Sequence, residues 1–327
     1  MISAAILKKP QKEGGVIQKG AVVISQPDEV YGLIPEIKDY FYLVERRGWR
    51  GMNTSKEADI KLVEDYSTWE ETRKNFPNAI LLDLAGGDFV DVTKFKPLDI
   101  EKRYPGIQIS CWEKFKRHEL FVQGTSLLPQ YKFLKFGHFI NRGTLEERLF
   151  RGEIINMSRD LGANIDFAYD KLETNEGLPN KSKEINYLIN QCSVGILTTE
   201  IEGVNRFKME CLSAGVPVIV PSDVSFPTKK HINDQTGLLY EPTPNGLAKA
   251  IKYTLNNYQT FKSREYVLNS TGHINSLNKL KKSLNKLCRR DNQIYNFDDI
   301  YYDGRNQSLT WDDNVISSIR ESIGNLK

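Results

Sequence analysis

Long apolar runs are missing from this chain. The longest, 79–82 and 216–220, are short beside the ~20 residues of a membrane-spanning helix. Lys8 and Lys9 interrupt the apolar stretch at the N-terminus, so no secretory signal is expected. Cysteine is sparse: Cys111, Cys192, Cys211 and Cys288 are scattered, with no C-x-x-C pair. That spacing suits reduced, buried thiols in a cytoplasmic protein. Charge of one sign is lacking too. With 45 Lys and Arg against 42 Asp and Glu, the net charge is +3, and no nucleic-acid partner is expected. Repeats and low-complexity segments are absent. What remains is an ordinary globular composition, 39% hydrophobic and 27% charged, in a chain of 327 residues. That length suggests about two domains at roughly 150 residues each.

The most informative stretch is 202–217, EGVNRFKMECLSAGVP. Glu202 and Glu210 stand eight positions apart, and Gly203 follows the first. Upstream, 194–199 reads as a buried strand; 206–214 reads as a short helix ending at Gly215; 216–220 reads as the next strand. A carboxylate therefore falls at a strand's end, next to a helix N-terminus, and a second falls one to two turns into the helix. Ligands of open α/β sheets bind at the carboxyl ends of the strands, and a helix N-terminus offers N–H groups to phosphate. Carboxylates beside such an anion site suit hydroxyl donors. The pattern fits a nucleotide-sugar.

From about residue 105, strands and helices alternate. The strands are expected at 107–111, 132–136, 164–167, 194–199, 216–220 and 237–240. The helices are expected at 114–124, 145–161, 183–191, 206–214 and 244–256. Thr144 and Glu147 form a capping box at the second helix. This alternation implies a parallel sheet with right-handed crossovers. Residues 1–98 are less regular, with strands expected at 2–7, 21–25, 40–45 and 79–84 and a helix at 66–75. Residues 90–106, with Pro97 and a Tyr104-Pro105-Gly106 turn, read as a linker. Near the end, Leu277, Leu280, Leu284 and Leu287 form the stripe of a basic helix. Its leucines are expected to pack on the protein, and the basic helix 277–290 is also a candidate peripheral contact with the inner face of a membrane.

These residues resemble the retaining, metal-independent glycosyltransferases of GT-B fold. More narrowly, they resemble the large family-4-like "group 1" family that includes sucrose synthase and many bacterial polysaccharide and lipid glycosyltransferases. The resemblance spans about 84–256 and rests on five landmarks in order: Gly86-Gly87-Asp88 through Phe95-Lys96-Pro97; Trp112 to His118; Glu202 with Glu210; Ala214 to Ile219; and Thr236 to Leu239. It implies an α/β GT-B protein with two facing Rossmann-like domains, the N-terminal one unusually short. The implied divisions are an acceptor-side domain at 1–98, a donor domain at 99–258, and a helix and tail at 259–327 that return to the first domain.

The resemblance also implies roles. Glu210 would accept hydrogen bonds from the ribose hydroxyls. Glu202 would lie near the sugar, and Lys116, with Arg117, would stabilise the leaving diphosphate. Gly203, Val204, Asn205 and Arg206 would line the phosphates. Tyr169 lies in the base-binding segment 165–169, and His138 is a candidate donor contact. No metal or other cofactor is implied, consistent with the lack of an Asp-x-Asp sequence. The implied partners are a nucleotide-sugar donor and a carbohydrate or lipid-linked acceptor, in cytoplasmic glycan biosynthesis. The alternative is a non-catalytic nucleotide-sugar-binding pseudoenzyme or accessory subunit.

The chain departs from the family pattern in three ways. Its first domain is short, no histidine precedes His118, and Ser110-Cys111 stands where the family has Gly-Arg. His118 is read as a helix-surface residue, Arg206 and Lys208 are read as exposed on their own helix, and Gly14-Gly15 is a candidate glycine loop on the sugar side.

Overall fold

The computed structural model describes residues 4–46, 54–139, 143–168, 181–304 and 312–327. The chain divides into two compact units, one made of Met1–Phe89 and His273–Lys327, the other of Val90–Gly272.

The first unit opens with β1 (Ala4–Lys8), the hairpin β2 (Gln11–Glu13) and β3 (Val16–Gln18), and β4 (Gly20–Ile24). Then come α1 (Pro27–Leu33), α2 (Ile37–Tyr40), β5 (Phe41–Arg46), β6 (Ile60–Leu62), α3 (Trp69–Asn75) and β7 (Ile80–Leu82). The sheet order is β1-β4-β5-β6-β7. Only β1 runs antiparallel to its neighbour. Gly14 and Gly15 have φ of 58° and 85°. They form the two-residue turn between β2 and β3, a conformation that excludes most side chains. They are a hairpin turn.

The second unit contains β8 (Tyr104–Cys111), α4 (His118–Ser126), β9 (Phe133–His138), α5 (Leu145–Asp160), β10 (Ile165–Phe167) and α6 (Lys181–Asn190). It continues with β11 (Cys192–Ile196), α7 (Arg206–Ser213), β12 (Val218–Pro221), α8 (Phe226–Lys229), β13 (Gly237–Tyr240), α9 (Pro244–Asn256) and α10 (Ser263–Ser270). Its six strands are all parallel, in the order β10-β9-β8-β11-β12-β13. Numbered within the unit this is 3-2-1-4-5-6, the doubly wound arrangement whose strand order reverses between its first and fourth strands. The expected Tyr104-Pro105-Gly106 turn is the start of β8. Proline is tolerated there because β8 pairs only with β11 at that point, its pairing with β9 beginning at Ile107. The expected helix at 114–124 is broken. Lys114–Lys116 is a 3₁₀ turn, Arg117 adopts the left-handed conformation (φ 47°, ψ 54°), and α4 starts at His118.

Two further helices complete the first unit, α11 (Gly272–Arg290) and α12 (Asp312–Gly324). They explain why its sheet can be apolar on both faces. Ala21 and Val23 of β4 and Tyr42 and Val44 of β5 face one way, where Leu277, Leu280, Leu284 and Leu287 of α11 cover them. The alternate residues Val22, Ile24, Phe41 and Leu43 face the other way, under α1, α2 and the isoleucines 316, 319 and 323 of α12. The period-2 alternation of strands thus meets two separate helical layers. The leucine stripe of α11 is spent inside the protein; its outward residues include Lys279, Lys282 and Lys286. No helix among the described residues is long and apolar enough to cross a membrane.

Leu280 and Leu284 are fully buried. Truncating either to alanine should destabilise the first unit by about 3 kcal/mol, whereas Lys282→Ala should cost under about 0.5 kcal/mol. Urea denaturation followed by circular dichroism would check both; equal effects would show that α11 is not a core helix.

Candidate active site at the strand reversal

The crevice of a doubly wound sheet opens where neighbouring strands send their connections to opposite faces. Here that point lies between the carboxyl ends of β8 and β11. The loop after β8 carries Lys116, and the loop after β11 carries Glu202. The two side chains meet: Lys116 Nζ donates to Glu202 Oε2. Both are largely desolvated, at 10% and 13% exposure, so the attraction is stronger than in a surface pair. Asn205 Nδ2 also donates to Glu202 Oε2, at 3.2 Å.

Asn205 is at the same time the N-cap of α7, its Oδ1 accepting from the Lys208 amide at 2.8 Å. One turn into α7, Glu210 is buried and pairs with Arg206, Nε to Oε1 at 2.9 Å. Arg117 pairs with Asp223 at 2.9 Å. The site therefore holds three cation–carboxylate pairs along one strand-end edge.

The Glu202 backbone is pinned from the next connection. Ser225 Oγ and Thr228 Oγ1 donate to the Glu202 carbonyl at 2.6 and 2.8 Å. Lys208, expected on the helix surface, is fully buried. Its Nζ donates to the carbonyls of Thr228 and Lys230, satisfying groups left open at the end of α8. An ammonium with carbonyl partners at a helix C-terminus is favourably placed, which accounts for its burial. Arg206 is the more exposed of the two cations of α7, its side chain 34% accessible.

His118 also departs from expectation, since it is fully buried. Its Nε2 lies 2.9 Å from the Cys111 carbonyl and its Nδ1 lies 2.7 Å from Lys135 Nζ. Burial, with Lys135 beside it, holds its pKa well below the usual histidine range. The left-handed Arg117 is what turns α4 so that its first residue faces the sheet.

Gly203 and Val204 are buried beneath the loop. His138 is exposed at the end of β9, where its carbonyl accepts from the Trp112 amide. Tyr169 lies outside the described residues. Sequence reading missed Asp223, Ser225, Thr228, Gln108, Thr198 and Lys135. Of these only Lys135, a charge inside the apolar run Phe133-Leu134-Lys135-Phe136, carried a signal. Ser110 Oγ is buried without a hydrogen-bond partner and its residue lines a small cleft with Lys116, Thr199 and Asn205. A wider cavity of about 490 Å³ adjoins the same loop, between Trp112–Phe115 and the start of α5 at Thr144, Glu146 and Glu147. Among the described residues no His, Cys, Asp or Glu side chains cluster as metal ligands would.

No family profile matches the chain, and no curated protein sequence does. Solved structures do. Sucrose-phosphate synthase from Thermosynechococcus elongatus matches with a TM-score of 0.58 at 16% identity, over 78% of this chain and 71% of its own. HepE from Anabaena, solved with UDP and glucose, matches with a TM-score of 0.60 at 14% identity, over 79% of this chain and 75% of its own. The fold is GT-B. Another GT-B protein, the pneumococcal O-GlcNAc transferase GtfA solved with UDP and GlcNAc, matches at 0.57 and 16% identity, and this chain covers 54% of it. In the GT-B frame, the Lys116–Glu202 pair lies at the strand reversal of the second, C-terminal sheet.

Burial lowers the Lys135 pKa from 10.5 to about 7. Above that value the folded protein has lost a proton that the unfolded chain keeps until about 10.5, so this group makes stability rise with pH. The slope approaches about 1.4 kcal/mol per pH unit. Between roughly pH 7 and 8.5, below the range in which the buried thiols titrate, Lys135→Met should flatten that rise. Denaturation midpoints at several pH values would show it; parallel profiles for wild type and variant would place the proton elsewhere.

Proposed function

We propose that the protein is a retaining glycosyltransferase that moves a sugar from a nucleoside diphosphate donor to a hydroxyl acceptor without a metal ion. The observation that carries this reading is the desolvated Lys116–Glu202 pair at the strand reversal, next to the capped N-terminus of α7 and the buried Glu210. The GT-B fold supports it, as do UDP and sugar in the HepE and GtfA structures.

Bond breaking at the anomeric carbon leaves negative charge on the diphosphate and positive charge on the sugar. Lys116, assisted by Arg117 and the α7 N-terminus, meets the first; Glu202, freed from Lys116 by the incoming diphosphate, meets the second. Glu210 exchanges Arg206 for the ribose hydroxyls, a charge-assisted bidentate contact. With both carboxylates assigned to binding and charge, the acceptor hydroxyl attacks on the face the diphosphate leaves and passes its proton to the departing phosphate oxygen, and the anomeric configuration is kept. Arg206, released by Glu210, stays within reach of the phosphates.

Glu210→Ala should weaken UDP binding by ~2 kcal/mol, about 30-fold, in metal-free titration calorimetry. Unchanged affinity would remove Glu210 from the ribose. Lys116→Ala should lower turnover of a UDP-sugar more than it weakens donor binding, because phosphate charge grows in the transition state. NMR of the product's anomeric proton checks retention, and an inverted product would rule out same-face attack.

A further inference from the structure

Lys135 lies in the middle of β9 and is fully buried. Its Nζ sits 4.9 Å from the centre of the Trp112 ring and 5.4 Å from that of Phe121. Among the described residues it has no carboxylate partner. It donates instead to Gln108 Oε1 and to His118 Nδ1. Gln108 is its register partner across β8 and β9, so the two side chains rise from the same face of the sheet.

The contacts continue in one direction. Gln108 Nε2 donates to Thr198 Oγ1 at 2.7 Å, and Thr198 Oγ1 donates to the Lys116 carbonyl. Three links, each donor-to-acceptor in the same sense, run from the buried Lys135 Nζ to the backbone of the site lysine. Bonds aligned this way polarise one another in a low-dielectric interior. The other end of the turn is held as well, with the Phe115 carbonyl accepting from the Glu200 amide at 2.8 Å and from Thr199 Oγ1 at 3.3 Å.

Fold stability does not account for this arrangement. An apolar trio of similar volume would fill the same space without desolvating an ammonium. The turn it grips, however, is unusual. Arg117 follows Lys116 in a left-handed conformation that a side-chain-bearing residue adopts at a cost, and such a conformation persists only where its surroundings over-determine it.

We propose that Lys135 is a positioning residue: through Gln108 and Thr198 it fixes the Lys116 carbonyl, and so aims the Lys116 ammonium at the diphosphate. The functional part of this inference rests on the donor-site reading above; the mechanical part does not. The titratable groups facing Lys135 are His118, held neutral, together with Cys111 and Glu119.

Two measurements on the full chain test it. The first is amide hydrogen exchange without nucleotide. Lys135→Met should speed exchange at Lys116 and Arg117, whose amides bond to the Glu113 and Lys114 carbonyls, while β12 amides stay at the wild-type rate. The second is a double-mutant cycle with UDP as the probe. Lys135→Met should weaken UDP about tenfold in the wild-type background and have no effect in the Lys116→Ala background, since it acts only through Lys116. Thr198→Val, which removes the hydroxyl and so cuts the last two links at nearly constant volume, should reproduce both results if Lys135→Met folds poorly.

Unchanged exchange in the 114–117 turn overturns the strut, whatever UDP does. An equal loss of UDP affinity in both backgrounds overturns the aiming role, because it signals general softening. Faster exchange in a protein whose wild type binds no UDP supports the strut while the donor reading falls.

Discussion

Strand β8 has parallel neighbours on both sides, and the site follows from that placement. Moving from β8 to β9 to β10, right-handed crossovers lay α4 and α5 on one face of the sheet. The chain then returns to β11 on the other side of β8 and builds outward again, which puts α6 and α7 on the opposite face. The connections that leave β8 and β11 therefore part from each other. The gap between them is open, lies at the carboxyl ends of the strands, and is bordered by the N-terminus of α7. Lys116 and Glu202 come from the two sides of this gap, and their ion pair is the first thing to span it. The remaining contacts act on its two ends. Ser225, Thr228 and Lys208 hold the Glu202 loop, while Thr198 and Glu200 hold the Lys116 turn.

Charge in the site is balanced locally. Lys116 has Glu202, Arg206 has Glu210, and Arg117 has Asp223. On the proposed function, a diphosphate entering such a site does not find bare cations; it displaces carboxylates from them. The cost of desolvating Lys116 has already been met during folding, and the displaced carboxylates become available to hydroxyl groups. A ligand that carries an anion and hydroxyls together can satisfy both halves of each broken pair. Inorganic phosphate satisfies one half and leaves a desolvated carboxylate behind, which is expensive. The pairing thus discriminates by composition of the ligand as well as by its charge.

Much of the second unit was legible because its signals are local. Apolar runs, Gly215 after α7, the Thr144 capping box and Pro244 at the start of α9 each mark an element without reference to the rest of the chain. The Glu202 and Glu210 spacing was readable for the same reason. The buried polar residues were not. His118 and Lys208 sit in sequences that read as solvated helix faces, and what buries them is distant: Lys135, 17 residues on from His118, and the carbonyls of Thr228 and Lys230, 20 and 22 residues on from Lys208. Arg117 hid the break before α4, since nothing about an arginine announces a left-handed conformation. In the first unit the short strand β6 and the helix α12 escaped notice, because three residues give no period and the α12 isoleucines matter only once β4 and β5 are in place.

The helix α11 has a consequence for the order of assembly. Its leucines close the core around Tyr42 and Val44, residues more than 230 positions earlier in the chain. Contacts of such separation carry a large loop-closure cost and form late. The second unit, by contrast, is one continuous stretch, Val90–Gly272. During synthesis it can complete its sheet while the strands of the first unit, already made, still wait for α11 on one face and α12 on the other. These strands, translated before the second unit, are therefore sealed after it, and until α11 emerges their sheet offers an apolar face to whatever in the cell guards nascent chains.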